Sequence, residues 1–181
     1  MKMNMCSAWA VALFVGSSFQ MVAMVASQGP SPSPAPSMQA CGMWLTSMSG
    51  AANCAGTLDG VVGASVTGTT EGFGSVIGND AHDVFYAWTA DEEAVACAAA
   101  GMLHFDSCDS SFDTWLRIYD AATGDALASC DDCGACGTQS VLTAPTDESL
   151  VVGGEYLLLV EGFGNVTGDY VIVVTCEESS G

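Results

Sequence analysis

The chain has 181 residues, half of them apolar, and this length and composition fit one folded domain and exclude a disordered chain. Two basic residues stand against 21 acidic ones, so the net charge is −19. A surface of this charge repels nucleic acid and anionic membranes and attracts cations, which excludes a nucleic-acid-binding function.

The first 27 residues have the pattern of a secretory signal peptide. Lys2 gives a positive start, residues 8–15 are apolar, and small residues precede Gln28. The alternative is an uncleaved membrane anchor, because apolar residues resume at 21–26, but polar residues interrupt the stretch before it is long enough to span. We therefore expect a secreted, extracellular chain.

Residues 28–40 are rich in proline and serine, with prolines alternating from Pro30 to Pro36. Such a segment favours an extended polyproline II spacer without hydrogen bonds of its own. We predict that residues 41–181 form a single domain behind this linker.

Eight cysteines remain after Cys6, which lies within the signal segment. An even number of cysteines behind a signal peptide predicts four disulfides in an oxidising compartment. They are Cys41, Cys54, Cys97, Cys108, Cys130, Cys133, Cys136 and Cys176.

From about Leu58 onward, short β-rich runs alternate with glycine, aspartate, asparagine and threonine, which predicts eight strands. We place them at Gly63–Thr69, Asp83–Thr89, Ala94–Phe105, Thr114–Tyr119, Ala126–Ser129, Ser140–Ala144, Glu155–Val160 and Tyr170–Thr175. A helix competes only over residues 92–102, where alanines are frequent. The pattern favours an all-β, antiparallel two-sheet sandwich of jelly-roll type.

Alternation within the strands selects the core. Every second residue of three strands shares one apolar face, and we expect Leu116, Ile118, Leu158, Val160, Ile172 and Val174 to be buried between the sheets. The last two strands are apolar on both faces, so we expect them to lie centrally and to be covered on both sides.

Several segments resemble the bacterial pre-peptidase C-terminal domain family. They are residues 79–90 (NDAHDVFYAWTA), 111–120 (SFDTWLRIYD), 130–133 (CDDC) with Cys136-Gly137, 154–156 (GEY) and 168–170 (GDY). The resemblance covers residues 54–176. It implies a compact jelly-roll-like sandwich, usually appended to secreted hydrolases, that aids secretion or binds matrix, with calcium in some members. The extra cysteines of this chain depart from that pattern.

An acidic, cysteine-rich end of the sandwich is the strongest candidate site. If residues 114–119 and 126–129 form a hairpin, the loops that flank it outside the turn lie together. Cys108, Cys130, Cys133 and Cys136 would then pair among themselves. Carboxylates from two loops suit Ca²⁺, which takes six to eight oxygen ligands. The candidate ligands are Asp106, Asp109, Asp113, Asp131 and Asp132; the alternative is that these aspartates cap turns and face water.

A second candidate site is the strand face that carries Trp115, Arg117 and Tyr119. Aromatic rings stack on sugars or peptide side chains, and arginine supplies a planar set of donors. The alternative is a buried layer in which Arg117 pairs with an acid. Asn165-Val166-Thr167 is an N-glycosylation sequon in a glycine-flanked turn.

Catalysis is not predicted. His82 and His104 are the two histidines, and neither a G-x-S-x-G nor an H-E-x-x-H motif occurs. We expect a non-catalytic module that binds an extracellular glycan or protein ligand, requires no cofactor and takes divalent cations such as Ca²⁺. The alternatives are an acidic structural component of an extracellular coat and an accessory to a separate secreted hydrolase.

Overall fold

The computed structural model describes Cys41, residues 53–59 and residues 61–177. The predicted signal peptide and the proline-rich linker lie outside these residues.

Nine strands and one helix make up the described part of the chain. The strands are β1 (Cys54–Thr57), β2 (Ser65–Thr69), β3 (Val84–Thr89), β4 (Leu103–Asp106), β5 (Thr114–Asp120), β6 (Ala126–Asp131), β7 (Val141–Thr143), β8 (Glu155–Gly162) and β9 (Asp169–Cys176). The helix α1 (Glu92–Ala99) lies between β3 and β4.

The strands form two sheets, as predicted. Sheet A has the order β1-β3-β8-β5-β6, and sheet B has the order β2-β9-β4-β7. All pairs are antiparallel except β1–β3, which is parallel. Strand β1 was not predicted, because its sequence Cys-Ala-Gly-Thr lacks the run of β-branched and aromatic residues that marks a strand.

The main core lies between the two sheets and contains all six residues that were predicted to form it, each with no exposed surface. Aromatic rings fill its centre: the Trp88 ring lies 4.9 Å from that of Tyr156 and 5.5 Å from that of Phe105, centroid to centroid. Strand β8 is central and buried on both faces, as expected, whereas the outward residues of β9 are only half-buried.

The outer face of sheet A carries a second apolar cluster. Phe85, Leu157 and Leu159 point into it, and Val76 and Ile77 cover it. These two residues belong to the segment between β2 and β3, which Asp83 holds in place: its Oδ2 accepts hydrogen bonds from the backbone N–H groups of both. Because this cover excludes water from part of the outer face of sheet A, side chains on that face can be buried as well.

Residues 92–99 form a helix, which corrects the first part of the strand predicted from Ala94 to Phe105, whereas its last residues, from Leu103, do form β4. The Asp91 side chain accepts a hydrogen bond from the N–H of Ala94 at 2.8 Å and so caps the first turn. Gly101 has φ +71°, and the N–H groups of Gly101 and Met102 bond back to Ala98 and Cys97 in a Schellman motif. The helical propensity of alanine, together with both caps, outweighs the strand pattern of the flanking residues.

Within the described residues, four disulfides join Cys41–Cys54, Cys97–Cys176, Cys108–Cys136 and Cys130–Cys133. The second ties helix α1 to the last residue of β9. The last two lie close together near the end of β6, and the four pairs divide into the two sets of cysteines predicted from the sequence.

Candidate functional site

One end of sheet A brings together the acidic and aromatic residues of interest. Strand β5 begins there, and β6 and β8 end there. In the register of the sheet, Trp115 lies opposite Asp131 on β6 and opposite Glu161 on β8. Directly paired residues share a face, so these three side chains form one row on the outer face of the sheet.

Asp113, Asp131 and Asp132 form an acidic triplet at this end. One carboxylate oxygen from each lies within 4.8 Å of the others. Asp113 and Asp131 each have a buried oxygen without a hydrogen-bond partner. Desolvation raises the pKa of both carboxyl groups, and repulsion from Asp132 raises it further. Oxygen ligands held this close, with unused lone pairs, fit a hard divalent cation.

The structure does not bring Asp106 or Asp109 to the triplet, which corrects the predicted set of five ligands. Asp106 lies on β4 in sheet B, where its Oδ1 accepts a hydrogen bond from the N–H of Cys108 at 2.7 Å. Asp109 is exposed. Asp106 ends β4 and Asp109 lies in the loop before β5, but only Asp113, adjacent to β5, reaches the end of β6.

Arg117 is two residues after Trp115 on β5, on the same face of the sheet, and it is buried, with 9% of its surface exposed. Its Nη2 is 2.9 Å from Oε1 of Glu161, and its guanidinium carbon is 4.2 Å from the centroid of the Trp115 ring. The backbone of Gly78, with φ +84°, lies so close that a Cβ there would collide with the guanidinium group. The one cation of the described residues, histidines aside, is therefore enclosed by protein.

This burial corrects the expectation of an open ligand face formed by Trp115, Arg117 and Tyr119. Tyr119 is buried in the outer cluster of sheet A, and Arg117 pairs with an acid. The physical reason is the segment between β2 and β3, which covers this part of the sheet. Only Trp115 remains partly exposed.

At the surface, Trp115 makes a ring contact with an aromatic residue that follows β8. Its ring lies 6.2 Å from that of Phe163, which is 50% exposed, and we name these two residues the ring pair. The indole Nε1 donates a hydrogen bond to Oγ of Ser129 at 2.7 Å, which fixes the ring orientation. The N–H of Phe163 bonds to the carbonyl of Asp113, so the ring pair adjoins the acidic triplet. Phe163 was not predicted from the sequence, and the signal that could have identified it is an aromatic residue between two glycines, Gly162 and Gly164.

Two further carboxyl groups lie beneath the surface here. Glu161 and Asp83 have no exposed surface. Burial raises the pKa of Glu161 to about 8, although the charge of Arg117 opposes the shift. Burial also raises the pKa of Asp83, against the hydrogen bonds from Ile77 and Val76. Arg117 carries one positive charge, which is too little to neutralise both of these buried carboxyl groups if both are ionised.

We expect stability to fall as the pH rises from 4.5 to about 8 because of Glu161. Its carboxyl binds a proton more tightly in the folded chain, with a pKa of about 8 against an ordinary 4.5. Its stabilising contribution is fully present below pH 4.5 and is lost as the pH rises through 8. Glu161→Gln should flatten the dependence of the melting temperature on pH, measured at constant ionic strength. Glu155→Gln, an exposed site on the same strand, is the control; an equal slope in Glu161→Gln and wild type would contradict the assignment.

Both histidines bond to backbone or hydroxyl groups. Nδ1 of His82 is 3.1 Å from the carbonyl oxygen of Thr70. In His104, Nδ1 is 3.0 Å from Oγ1 of Thr143, and Nε2 is 3.1 Å from the carbonyl oxygen of Glu177. His104 and Asp106 line a cavity of about 490 Å³ on the outer face of sheet B.

Within the described residues, no helix has the length and apolar character that crossing a membrane requires. The four disulfides are typical of an extracellular location.

No family model matches the sequence, and no curated protein matches it. Among solved structures, a match is found to the pre-peptidase C-terminal domain of a collagenase from Bacillus anthracis, with 16% identity and a TM-score of 0.35. The match covers 68% of this chain and 93% of that one. This chain is thus similar to a pre-peptidase C-terminal domain, the family that its motifs resemble.

Proposed function

We propose that this chain is a secreted, non-catalytic binding module that holds an extracellular glycan through the ring pair, with Ca²⁺ at the acidic triplet. The observation that carries the proposal is the ring pair, with Phe163 exposed and Trp115 partly exposed, beside three converging carboxylates. Free glycans and glycans on matrix or surface proteins present the same chemistry, and the experiment below separates them.

The ring pair suits a saccharide because sugar rings have apolar faces that pack on aromatic side chains. Trp115 is fixed from two sides, by the hydrogen bond to Ser129 and by the guanidinium of Arg117. A side chain that is already ordered loses little entropy when a ligand binds. The polar rim that a saccharide also needs is supplied by the carboxylates nearby.

Asp113, Asp131 and Asp132 are the residues that would hold the ion. Bound calcium would neutralise their charges and leave coordination positions for hydroxyl oxygens of a ligand. The unpartnered oxygens of Asp113 and Asp131 support this assignment, since buried polar atoms ordinarily have partners.

A glycan and matrix-protein array, read with millimolar Ca²⁺ and with chelator, tests the proposal. We expect Trp115→Ala and Phe163→Ala each to weaken binding about tenfold or more, which corresponds to about 1.4 kcal/mol. Val152 is an exposed apolar residue in the turn before β8, far along the strand from Phe163, and Val152→Ala should leave binding unchanged. Binding to protein spots after their glycans have been removed would contradict a saccharide ligand, and so would unchanged binding by both ring variants.

We further expect Ca²⁺ to raise the melting temperature at constant ionic strength. An ion that binds only the folded chain adds about 2.7 kcal/mol at a hundredfold excess over its dissociation constant. Asp113→Asn combined with Asp131→Asn should abolish the shift, whereas Asp109→Asn should retain it. Equal stabilisation by monovalent salt would instead indicate general screening of an acidic surface.

A second candidate function, a structural, cation-sequestering component of an extracellular coat, is favoured by the net charge of −19. It predicts many weak calcium sites and no dependence on the ring pair. Calcium titration calorimetry separates the two, because the acidic triplet would give a single site that the double asparagine variant loses.

A further inference from the structure

We infer that Asn165 carries an N-linked glycan whose first sugar lies on the ring pair, so that the chain covers its own binding surface until the glycan is absent or displaced. The control of access rests on the proposed function, whereas the packing of the glycan on the rings does not.

The sequon lies in a turn that presents it outward. The N–H of Val166 bonds to the carbonyl of Phe163 at 3.2 Å, which closes a four-residue turn with Gly164 at φ +69°. Asn165 is exposed. One compact turn therefore contains the aromatic ring of Phe163 and the acceptor Asn165. The hydroxyl residue of the sequon, Thr167, follows it directly.

The apolar surface beside Asn165 suits the apolar face of a sugar linked to that residue. Phe163 is 50% exposed and Val166 is 41% exposed, and Trp115 extends this patch on the strand below. Asn165 is two residues from Phe163, so their Cα atoms are at most about 7.6 Å apart. A sugar linked to Asn165 is therefore tethered close to the Phe163 ring, and its local concentration there far exceeds that of a free glycan.

The folded chain also has space for the sugar. Asn165 and Gly164 form one wall of an open groove of about 500 Å³, and Gly78, Asn79 and Asp80 form the other. The groove adjoins the ring pair, because Gly78 lies on the Arg117 guanidinium and that group lies under Trp115. Polar groups at the far wall suit hydroxyls, and the rings suit the apolar face of the sugar.

The test begins with the full chain secreted from a eukaryotic host that performs N-glycosylation. Intact mass should show one glycan that is lost in Asn165→Gln. Trimming with an endoglycosidase that leaves the first N-acetylglucosamine isolates the sugar that contacts the rings. We expect the intact and the trimmed forms to melt about 2–5 °C above Asn165→Gln, as a contact of this size predicts for a small domain.

Phe163→Ala is the decisive background, because it removes the ring and keeps the sequon. In the Phe163→Ala background, the difference in melting temperature between the trimmed form and Asn165→Gln should vanish. In the Val152→Ala background, the same difference should persist. If Asn165→Gln fails to secrete, Thr167→Ala removes the same sequon and replaces it. A missing glycan in the intact mass, or a difference that persists in Phe163→Ala, would overturn the inference.

The array separates this inference from the proposed function. Asn165→Gln should bind an external saccharide at least about tenfold more tightly than the glycosylated chain, since an occupied surface must first be vacated. If neither form binds while the melting differences hold, the proposed function fails and the packing of the glycan stands. Equal binding by both forms would overturn the control of access.

Discussion

Replacing Arg117 with methionine should lower the free energy of unfolding by about 3–5 kcal/mol at pH 9, where Glu161 is ionised in the folded chain. The substitution keeps an apolar stem of similar length but removes the ion pair with Glu161 and the stacking on Trp115. It leaves two buried carboxyl groups, of Glu161 and Asp83, without their counter-ion. Urea denaturation with the disulfides intact measures the loss.

The double variant Arg117→Met with Glu161→Met is the matched control. It removes both charges of the pair, so it should recover most of the loss, since apolar replacements of buried ion pairs are often neutral or better. The loss in Arg117→Met should also be smaller at pH 6, where Glu161 can take a proton. A double variant no more stable than Arg117→Met would show that the arginine acts by packing alone.

Removal of the Cys97–Cys176 disulfide is expected to cost about 4–5 kcal/mol in the double alanine variant. The bond closes a long loop, with a sequence separation of 79, and joins helix α1 to the end of β9. Without it the unfolded chain gains the freedom that a long closed loop denies it. Thermal and urea unfolding of the variant under non-reducing conditions measure the effect.

Cys130–Cys133 provides the comparison, because its sequence separation is only 3. Its double alanine variant should lose about 2 kcal/mol or less, as the chain-entropy account gives for so short a loop. Equal losses in the two variants would mean that strain or local packing, and not loop closure, sets the contribution of each bond.

The β5–β6 hairpin shows what local sequence can determine. Its turn is built from Asp120, whose Oδ1 accepts hydrogen bonds from the N–H groups of Ala122 and Thr123, and from Gly124 at φ +79°. These residue types favour such a turn for local reasons, and the alternating strands on either side fix the faces. The same hairpin brings Asp113 to Asp131, which is why part of the acidic triplet was predictable.

The remainder of the site depends on contacts that no local pattern contains. Glu161 reaches Arg117, and Phe163 reaches Trp115, only because β8 pairs with β5 in one particular register. The sequence marks both segments as strands but does not specify that they are neighbours. The cover over Arg117 likewise comes from an irregular segment, held by the carboxylate of Asp83, that has no periodicity to read.

The enclosure of Arg117 has a consequence for how copies of this protein meet. Across residues 53–59 and 61–177, the guanidinium is withdrawn from the surface, so that an approaching copy presents carboxylates and finds no strong cation to pair with them. Among the described strands, β1 and β6 are the edges of sheet A and β2 and β7 are the edges of sheet B, and sheet edges can template intermolecular pairing and aggregation. Mutual repulsion between uniformly anionic exteriors opposes that encounter, so colloidal stability should decline as salt is added. By keeping its counter-ion inside, the fold makes its exterior a polyanion that resists self-association.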